Sequence, residues 1–266
     1  MKAVITDHPF PSLDLAQSIF SRNGIELEVM QTKDPETIIA RTKTAEAMIV
    51  GMAKIDKKII DALDRCKIIV RLGVGYDNVD VPAATSRGIM VANTPDFCTE
   101  EVSDHAVALI LMIARRILPG QRAVREGKWG PTAIEFDSFK RVKEQTVGLY
   151  GFGRIARGVA EKAKGAKLSC IAFDPFISKD AMSAAGVEKV EMKDLLARSD
   201  YVSLHTPLTK ETENSFGMEQ FRVMKRTAWV INTSSSAGIF AHTAASSLPR
   251  GRLNAQSLNA GCHGLP

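Results

Sequence analysis

The alternation of apolar and polar positions divides the first hundred residues into short strands and helices. Apolar runs rich in β-branched residues are typical of strands, and here they cover 3–6, 25–30, 46–50, 67–72 and 88–93. Helical spacing of the apolar positions between them predicts helices over 12–22, 34–43, 56–65 and 80–87. Asp34 and Asp80, each followed closely by a proline, are typical helix starts. This α/β pattern predicts a doubly wound parallel sheet with helices on both faces.

The same alternation resumes after one long helix. Segment 99–117 is predicted to be the longest helix, with Thr99 as its N-cap and an end before Pro119. Arg115 and Arg116 would lie in its last turn, where the helix dipole favours cations. Further strand and helix patterns then alternate as far as Asn232. We therefore expect two domains, 1–97 and 98–266.

Composition and charge fit a globular protein that binds small molecules. The 266 residues are 45% hydrophobic and 24% charged, which is enough apolar material for two cores. A net charge of +5 favours anionic substrates or dinucleotides. No Lys/Arg-rich block is present and only 6% of the residues are aromatic, so the sequence does not indicate nucleic-acid binding.

The cysteine pattern and the hydropathy of the chain indicate its cellular compartment. Cys66, Cys98, Cys170 and Cys262 are scattered, without a CxxC or Cys/His cluster, which predicts reduced thiols and no metal site. No segment approaches the ~20 apolar residues of a membrane span, and the N-terminus lacks the apolar stretch of a signal peptide. We expect a cytoplasmic protein without membrane contact.

A glycine-rich turn in the second half has the context of a dinucleotide site. Gly151, Gly153 and Ala156 form a G-x-G-x-x-A pattern between a predicted strand (146–150) and an amphipathic helix. Asp174 ends the next predicted strand, 18 residues after Ala156. In this context the glycines allow a tight turn and close approach of a pyrophosphate, and the helix N-terminus binds it. A glycine turn without a ligand is the alternative.

The acidic residue also indicates which dinucleotide is bound. Asp174 would accept hydrogen bonds from the adenosine ribose hydroxyls and would repel a 2′-phosphate. The sequence therefore predicts NAD and disfavours NADP.

With this fingerprint in place, the sequence resembles the D-isomer-specific 2-hydroxyacid dehydrogenases, in the branch of phosphoglycerate-dehydrogenase-like enzymes and C-terminal-binding protein corepressors. The matching stretches span about 66 to 233; they are VRLGVGYDNVD, VANTPDFCTEEVSDHAVAL, VGLYGFGRIARG, FDP and DYVSLHTPLTKET. The resemblance implies a flavodoxin-like substrate domain, 1–97, and a Rossmann NAD-binding domain, 98–266. It also implies a homodimer through the NAD domain and helix 99–117.

The resemblance assigns roles by position. Leu72, Gly73, Val74 and Gly75 would hold the substrate carboxylate with their backbone N–H groups, with Val74 also near the nicotinamide; an ordinary strand-end turn is the alternative. His205 would line the adenosine rather than carry a proton. Besides Gly151, Gly153 and Asp174, the implied cofactor contacts are Tyr150, Phe152, Arg154, Ile155, His205, Thr206, Pro207, Thr233 and Ser234.

The catalytic positions of the family are altered. The reaction needs a cation to polarise the carbonyl, a histidine to carry the proton and a carboxylate to orient that histidine. Ser235, give or take a residue, stands where the family has its arginine, and no Asp or Glu follows Glu219. His242 and His263 do not match the position of the family's histidine. We therefore expect the NAD-binding domain to be truncated, by divergence or by a frame change near Ser234.

Three functions follow from this comparison. The first is NAD-dependent hydride transfer on a small 2-hydroxy or 2-oxo acid. The second is a catalytically impaired NAD(H)-binding module that acts as a sensor or corepressor-like partner. The third is a truncated product without function.

Overall fold

The computed structural model describes residues 1–130, 133, 140–207, 209, 211–213 and 215–234, and the backbone of 256–257. These residues form two compact units: Met1–Cys98 is the first, and the second begins at Thr99. Each unit contains its own parallel sheet and its own hydrophobic core. The roles that the sequence assigned to domains 1–97 and 98–266 stay predictions.

The first unit is a five-stranded, doubly wound sheet. Its strands have the spatial order β2-β1-β3-β4-β5 and all pair in parallel, which is the flavodoxin-like order. The elements are β1 (Lys2–Ile5), α1 (Asp14–Arg22), β2 (Glu26–Val29), α2 (Pro35–Thr42), β3 (Ala47–Val50), α3 (Lys57–Asp61), β4 (Ile68–Arg71), α4 (Val81–Ser86) and β5 (Met90–Ala92). The predicted fold class is confirmed for this half.

Local sequence signals set the helix starts of this unit. The Asp34 carboxylate accepts a hydrogen bond from the N–H of Thr37 at 2.8 Å, and Asp80 accepts one from Ala83 at 3.0 Å. Both prolines lie in the first helical turn, where no backbone N–H is needed. β3 is buried at all four positions, as expected for an inner parallel strand covered on both faces.

The second unit has the Rossmann strand order. Its sheet runs β11-β10-β9-β6-β7-β8, which is the 6-5-4-1-2-3 order of a dinucleotide-binding domain, again all parallel. The elements are α5 (Thr99–Ala114), α6 (Ile117–Arg125), β6 (Thr146–Tyr150), α7 (Arg154–Gly165), β7 (Ser169–Phe173), α8 (Lys179–Ala184), β8 (Glu188–Lys189), α9 (Met192–Arg198), β9 (Tyr201–Leu204), α10 (Met218–Val223), β10 (Trp229–Asn232) and β11 (Gln256–Ser257).

The predicted helix 99–117 was wrong at its end. α5 stops at Ala114, and Arg116 takes a left-handed backbone conformation with φ 53° before a second helix, α6, begins. Pro119 does not end a helix; it lies in the first turn of α6, where a proline is tolerated. Arg115 and Arg116 therefore form a corner between two helices. The sequence prediction also missed α8 and β8.

Small residues bring α5 and α7 close together. A Cβ atom at Gly158 would lie 2.9 Å from the Ser103 hydroxyl, so the two helices meet where glycine leaves room. Ala106, Ile110 and Val159 belong to one buried cluster at this contact. α7 carries the glycine turn at its N-terminus, so this packing fixes the direction in which the helix points.

Candidate functional site

Gly151 lets three strand ends converge. It follows β6 with φ 88°, a conformation that favours glycine, and its N–H donates to the Phe173 carbonyl at 2.9 Å. A Cβ atom here would lie 3.0 Å from the Thr206 methyl group and 3.1 Å from the His205 backbone. The ends of β6, β7 and β9 therefore meet at this turn, as the fingerprint predicts.

Gly153 leaves open space in front of a helix N-terminus. It is the N-cap of α7, no side chain caps the helix, and a Cβ atom built on Gly153 would meet nothing within 4 Å. The first turn of any helix presents N–H groups that lack intrahelical acceptors. Open space before such N–H groups fits a pyrophosphate. Ala156 is fully buried one turn further on, which allows α7 to pack closely.

Asp174 is held in place by the same turn. Its two carboxylate oxygens accept hydrogen bonds from the N–H groups of Phe152 and Phe176, each at 2.8 Å. The side chain is half-buried directly after β7. A carboxylate oxygen can accept more than one hydrogen bond, so both oxygens remain able to bind ribose hydroxyls. The sequence analysis named Asp174 as a cofactor residue. The structure shows that its side chain is hydrogen-bonded to the glycine turn.

His205 is kept neutral. Burial lowers the pKa of His205 to about 4, and its Nε2 atom lies 2.8 Å from the Ser203 hydroxyl. A neutral, hydrogen-bonded imidazole at the end of β9 fits a residue that lines the cofactor site. It does not fit a group that exchanges protons near pH 7.

Three buried polar atoms at the ends of β9 and β10 lack partners within the described part of the chain. They are Thr206 Oγ1, Asn232 Nδ2 and Thr233 Oγ1. Leu204 and Asn232 are paired across the adjacent strands β9 and β10, so these atoms follow neighbouring strand ends. Buried polar groups normally have hydrogen-bond partners, and exceptions indicate a missing ligand or water. The ends of these strands thus offer hydrogen-bonding groups that the described residues do not use, on the same sheet edge as the open helix N-terminus, and the residues present fit a dinucleotide.

The sequence places Asn232 at the end of a predicted strand but assigns it no ligand contact. Its Oδ1 atom accepts from both the N–H and the hydroxyl of Ser234, at 3.0 and 2.8 Å. Because a backbone N–H can only donate, this fixes which end of the side chain is the oxygen. Among the described residues, the buried NH2 group is therefore a donor without a partner, which a ligand could use. Only the strand pairing and the burial reveal it.

The other predicted cofactor residues divide into buried and accessible groups. Tyr150 and Phe152 have buried side chains, and the Tyr150 hydroxyl donates to Ser215 at 2.9 Å. Any contact of these two with a dinucleotide would come from the backbone. Arg154 and Pro207 are exposed and Ile155 is half-buried. Ser235, His242 and His263 lie outside the described residues.

In the first unit, the 72–75 loop follows β4. Two of its four backbone N–H groups donate hydrogen bonds to carbonyls of the same unit. Leu72 N–H donates to the Val50 carbonyl at 2.8 Å, and Gly73 N–H donates to the Arg71 carbonyl at 3.0 Å. The N–H groups of Val74 and Gly75 have no acceptor within the described ranges. The Arg71 guanidinium lies directly over Gly73 and donates to the Leu72 carbonyl at 2.8 Å. The amides available for an anion are thus those of Val74 and Gly75.

Residues 107–258 match the family model described as D-isomer specific 2-hydroxyacid dehydrogenase, NAD binding domain. A D-3-phosphoglycerate dehydrogenase of Archaeoglobus fulgidus is 38% identical over 237 residues, which are 88% of this chain and 44% of that protein. A glyoxylate reductase of Korarchaeum cryptofilum is 40% identical over 218 residues, covering 79% of this chain and 64% of its own length. The chain thus spans about half to two thirds of these relatives.

Solved structures agree with this fold. The TT0316 protein of Thermus thermophilus superposes with a TM-score of 0.82 at 30% identity, covering 98% of this chain and 85% of that one. An acyclic imino acid reductase, solved with NADPH and D-Arg, has a TM-score of 0.84 at 27% identity, with 95% and 80% covered. Both sheets therefore have counterparts in solved proteins.

Proposed function

Because this chain belongs to the D-isomer-specific 2-hydroxyacid dehydrogenase family, we propose that it transfers hydride between NAD(H) and a small 2-hydroxy or 2-oxo acid. The observation that carries the proposal is the open helix N-terminus at Gly153, with the anchored Asp174 carboxylate beside it. The relatives named above are enzymes, which favours a dehydrogenase over the sensor or corepressor-like module.

Different residues of the site would bind different parts of the cofactor. The N–H groups at the start of α7 would bind the pyrophosphate, and Asp174 would bind the adenosine ribose. Thr206, Asn232 and Thr233 carry the buried polar atoms that remain for the rest of the dinucleotide. When bound, the nicotinamide ring supplies or accepts the hydride. The carboxylate of Asp174 favours NAD, because a 2′-phosphate would bring a second negative charge to it.

The 72–75 loop would bind the substrate carboxylate. Val74 and Gly75 contribute the two amides that the loop does not use itself, and the Arg71 guanidinium over Gly73 adds positive charge to the loop. The names of the two relatives, a D-3-phosphoglycerate dehydrogenase and a glyoxylate reductase, support a small carboxylate as the bound anion. We place the substrate in the class of short 2-oxo acids.

The rate of the chemical step is proposed to be low. Ser235, give or take a residue, stands where the family has an arginine, and residues 233–237 contain no arginine that could polarise the carbonyl. Loss of one charge-stabilising group costs about 10²–10³-fold in rate. Binding of NAD(H) does not depend on that group and should be retained.

A homodimer and a cytoplasmic location complete the proposal. Ile117, Leu118 and Val124 of α6 and the nearby Trp129 are exposed apolar side chains, which supports an interface on this segment of the second unit. Among the residues that the structure describes, no helix is long and apolar enough to cross a membrane. Light scattering of the purified protein tests the dimer, and a single monomeric species would contradict it.

The test of function is a titration followed by an assay. NADH and NADPH are titrated separately by fluorescence, and glyoxylate or hydroxypyruvate is then added while NADH absorbance is followed. We expect tighter binding of NADH than of NADPH and slow oxidation that requires the 2-oxo acid. Absence of NADH binding would refute the proposal, and oxidation at an ordinary enzyme rate would refute the assigned role of the arginine position.

A further inference from the structure

A buried carboxylate follows an inner strand of the unit that contains the proposed substrate loop. Asp7 follows β1, the strand between β2 and β3, and is only 6% exposed. Its oxygens accept hydrogen bonds from the N–H groups of Gly51, Met52 and Ala53, at 3.2, 2.6 and 3.1 Å. The Thr6 hydroxyl donates to Asp7 at 2.9 Å. Neither the cofactor site nor the 72–75 loop uses this carboxylate directly.

The three amides belong to a segment that Asp7 orients. Residues 51–53 follow β3, and they point three consecutive N–H groups at one carboxylate. A Cβ atom at Gly51 would lie 2.6 Å from the Asp7 carbonyl oxygen, so glycine is required for this close approach. Charge-assisted hydrogen bonds of this kind are stronger than neutral ones, so the segment has one favoured orientation.

The carbonyl groups of the same segment hold Asn78. The Asn78 side-chain NH2 donates to the carbonyls of Gly51 and Ala53, at 3.2 and 2.8 Å. The Asn78 carbonyl in turn accepts from the N–H of Ile55 at 2.7 Å. Segment 51–53 therefore binds Asp7 through its N–H groups and Asn78 through its C=O groups.

Asn78 lies at the C-terminal end of the stretch of chain that contains the 72–75 loop. At the start of this stretch, Leu72 N–H binds the Val50 carbonyl, next to the segment that Asp7 holds. In between, the Gly73 carbonyl accepts from Thr94 N–H at 3.1 Å, and the Val74 carbonyl accepts from the Asn93 side chain at 2.8 Å. Carbonyls of the loop are thus fixed, and its remaining N–H groups are left for a ligand.

We propose that Asp7 is a positioning residue for the 72–75 loop: through segment 51–53 and Asn78 it holds the Val74 and Gly75 amides in the orientation that binds a substrate carboxylate. This inference rests on the proposed function of that loop. Asp7 does not touch the substrate. Its effect is on the geometry of the amides, and a shift of about 1 Å in such a site can cost ~100-fold in rate.

The test uses the full chain and oxalate as the probe of the carboxylate site. Asp7→Asn keeps the shape of the side chain but replaces one acceptor oxygen with an NH2 group that faces N–H donors. Asp64→Asn is the matched control, because Asp64 is an exposed carboxylate of the same unit with no hydrogen bond from its side chain among the described residues. Oxalate is titrated in saturating NADH by fluorescence, and hydrogen exchange is followed over 51–53 and 72–78.

The expected result separates positioning from general damage. Asp7→Asn should weaken oxalate binding by ~10-fold or more, leave NADH affinity unchanged and speed exchange over 72–78. Asp64→Asn should change none of these. Faster exchange confined to 51–53, with oxalate affinity unchanged, would overturn the inference.

A second variant covers the case in which Asp7→Asn does not fold. Asn78→Asp removes the NH2 group at the other end of the connection, on a half-buried side chain, and should likewise weaken oxalate binding and speed exchange over 72–78. Unchanged values would refute the connection. Failure of the unmodified protein to bind oxalate would instead refute the proposed function, while the exchange comparison would still decide the role of Asp7.

Discussion

At the scale of single residues, the two glycines of the dinucleotide motif have different roles, one in the fold and one in ligand binding. Gly151 is required by the fold, because its φ of 88° and its contacts with Thr206 and His205 leave no room for a side chain. Gly153 has an ordinary φ of −77° and empty space around it, so the fold does not need it. The motif therefore contains one structural glycine and one glycine that serves a ligand.

This difference predicts the outcome of two matched substitutions. Gly153→Ala should leave the free energy of unfolding nearly unchanged but reduce NADH affinity by ~10-fold, because a methyl group would occupy space needed by the pyrophosphate. Gly151→Ala should lower the free energy of unfolding by at least about 1 kcal/mol. Urea unfolding and NADH titration of both variants test this. Equal effects on stability would contradict it.

A second residue-scale prediction concerns pH. The pKa of His205 is lowered to about 4 from 6.5, so between these values the unfolded chain binds a proton that the folded chain does not. The free energy of unfolding should fall by up to ~3 kcal/mol as pH decreases from 6.5 to 4. Urea unfolding across this range measures the effect, and His205→Gln should flatten the slope.

At the scale of elements, α5 and α7 are joined by one lysine as well as by apolar packing. Lys162 of α7 pairs with Glu100 at 2.9 Å and with Asp104 at 2.7 Å, and it donates to the Ser103 hydroxyl at 2.7 Å. Desolvation lowers the pKa of Lys162, but the hydrogen bonds with Asp104 and Glu100 outweigh it and the net shift is upward. The first turn of α5 is thus attached to the helix of the glycine turn.

Lys162→Met should therefore reduce the free energy of unfolding by about 1–2 kcal/mol, since partly buried charged hydrogen bonds are worth more than exposed ion pairs. Lys164→Met is the matched control on the same helix, because Lys164 is exposed and forms no ion pair within the described part of the chain. Urea unfolding of both variants measures the difference. Equal stabilities would show that apolar packing alone joins the two helices.

At the scale of the whole molecule, the described residues form separate hydrophobic clusters in the two units, one in the first and two in the second. One cluster centres on Ile38, Met48 and Ile69 in the first unit, and another on Leu149 and Val159 in the second. The residues assigned to the dinucleotide lie almost entirely in the second unit. A ligand that binds one folded unit stabilises that unit by mass action.

Calorimetry should consequently show two transitions that respond differently to cofactor. At NADH concentrations near 100 times its dissociation constant, the transition of the second unit should gain ~2.7 kcal/mol and move up by roughly 5–10 °C. The first transition should move little. Gly153→Ala, which weakens NADH binding, serves as the control. An equal shift of both transitions would show that the cofactor stabilises the two units together.

The sequence by itself determined the fold class, the helix starts at Asp34 and Asp80, the family and the dinucleotide motif. These depend on local signals: hydrophobic period, capping residues and the spacing of a glycine turn from an acidic residue. The same signals failed at Arg116, a left-handed residue that lies inside the predicted helix 99–117, and they did not predict the second helix, α6.

Only the tertiary structure revealed the NH2 group of Asn232, which has no partner in the part of the chain that the structure describes, and the connection from Asp7 to Asn78. The position of Asn232 in the site depends on strand pairing with Leu204. Asp7 accepts hydrogen bonds from residues 44 to 46 positions away in the sequence. Such contacts carry no periodic signal, because they form where separate strand ends meet at one edge of a sheet. Hydrogen bonding at that edge is settled by three-dimensional proximity, which no local pattern in a single sequence encodes.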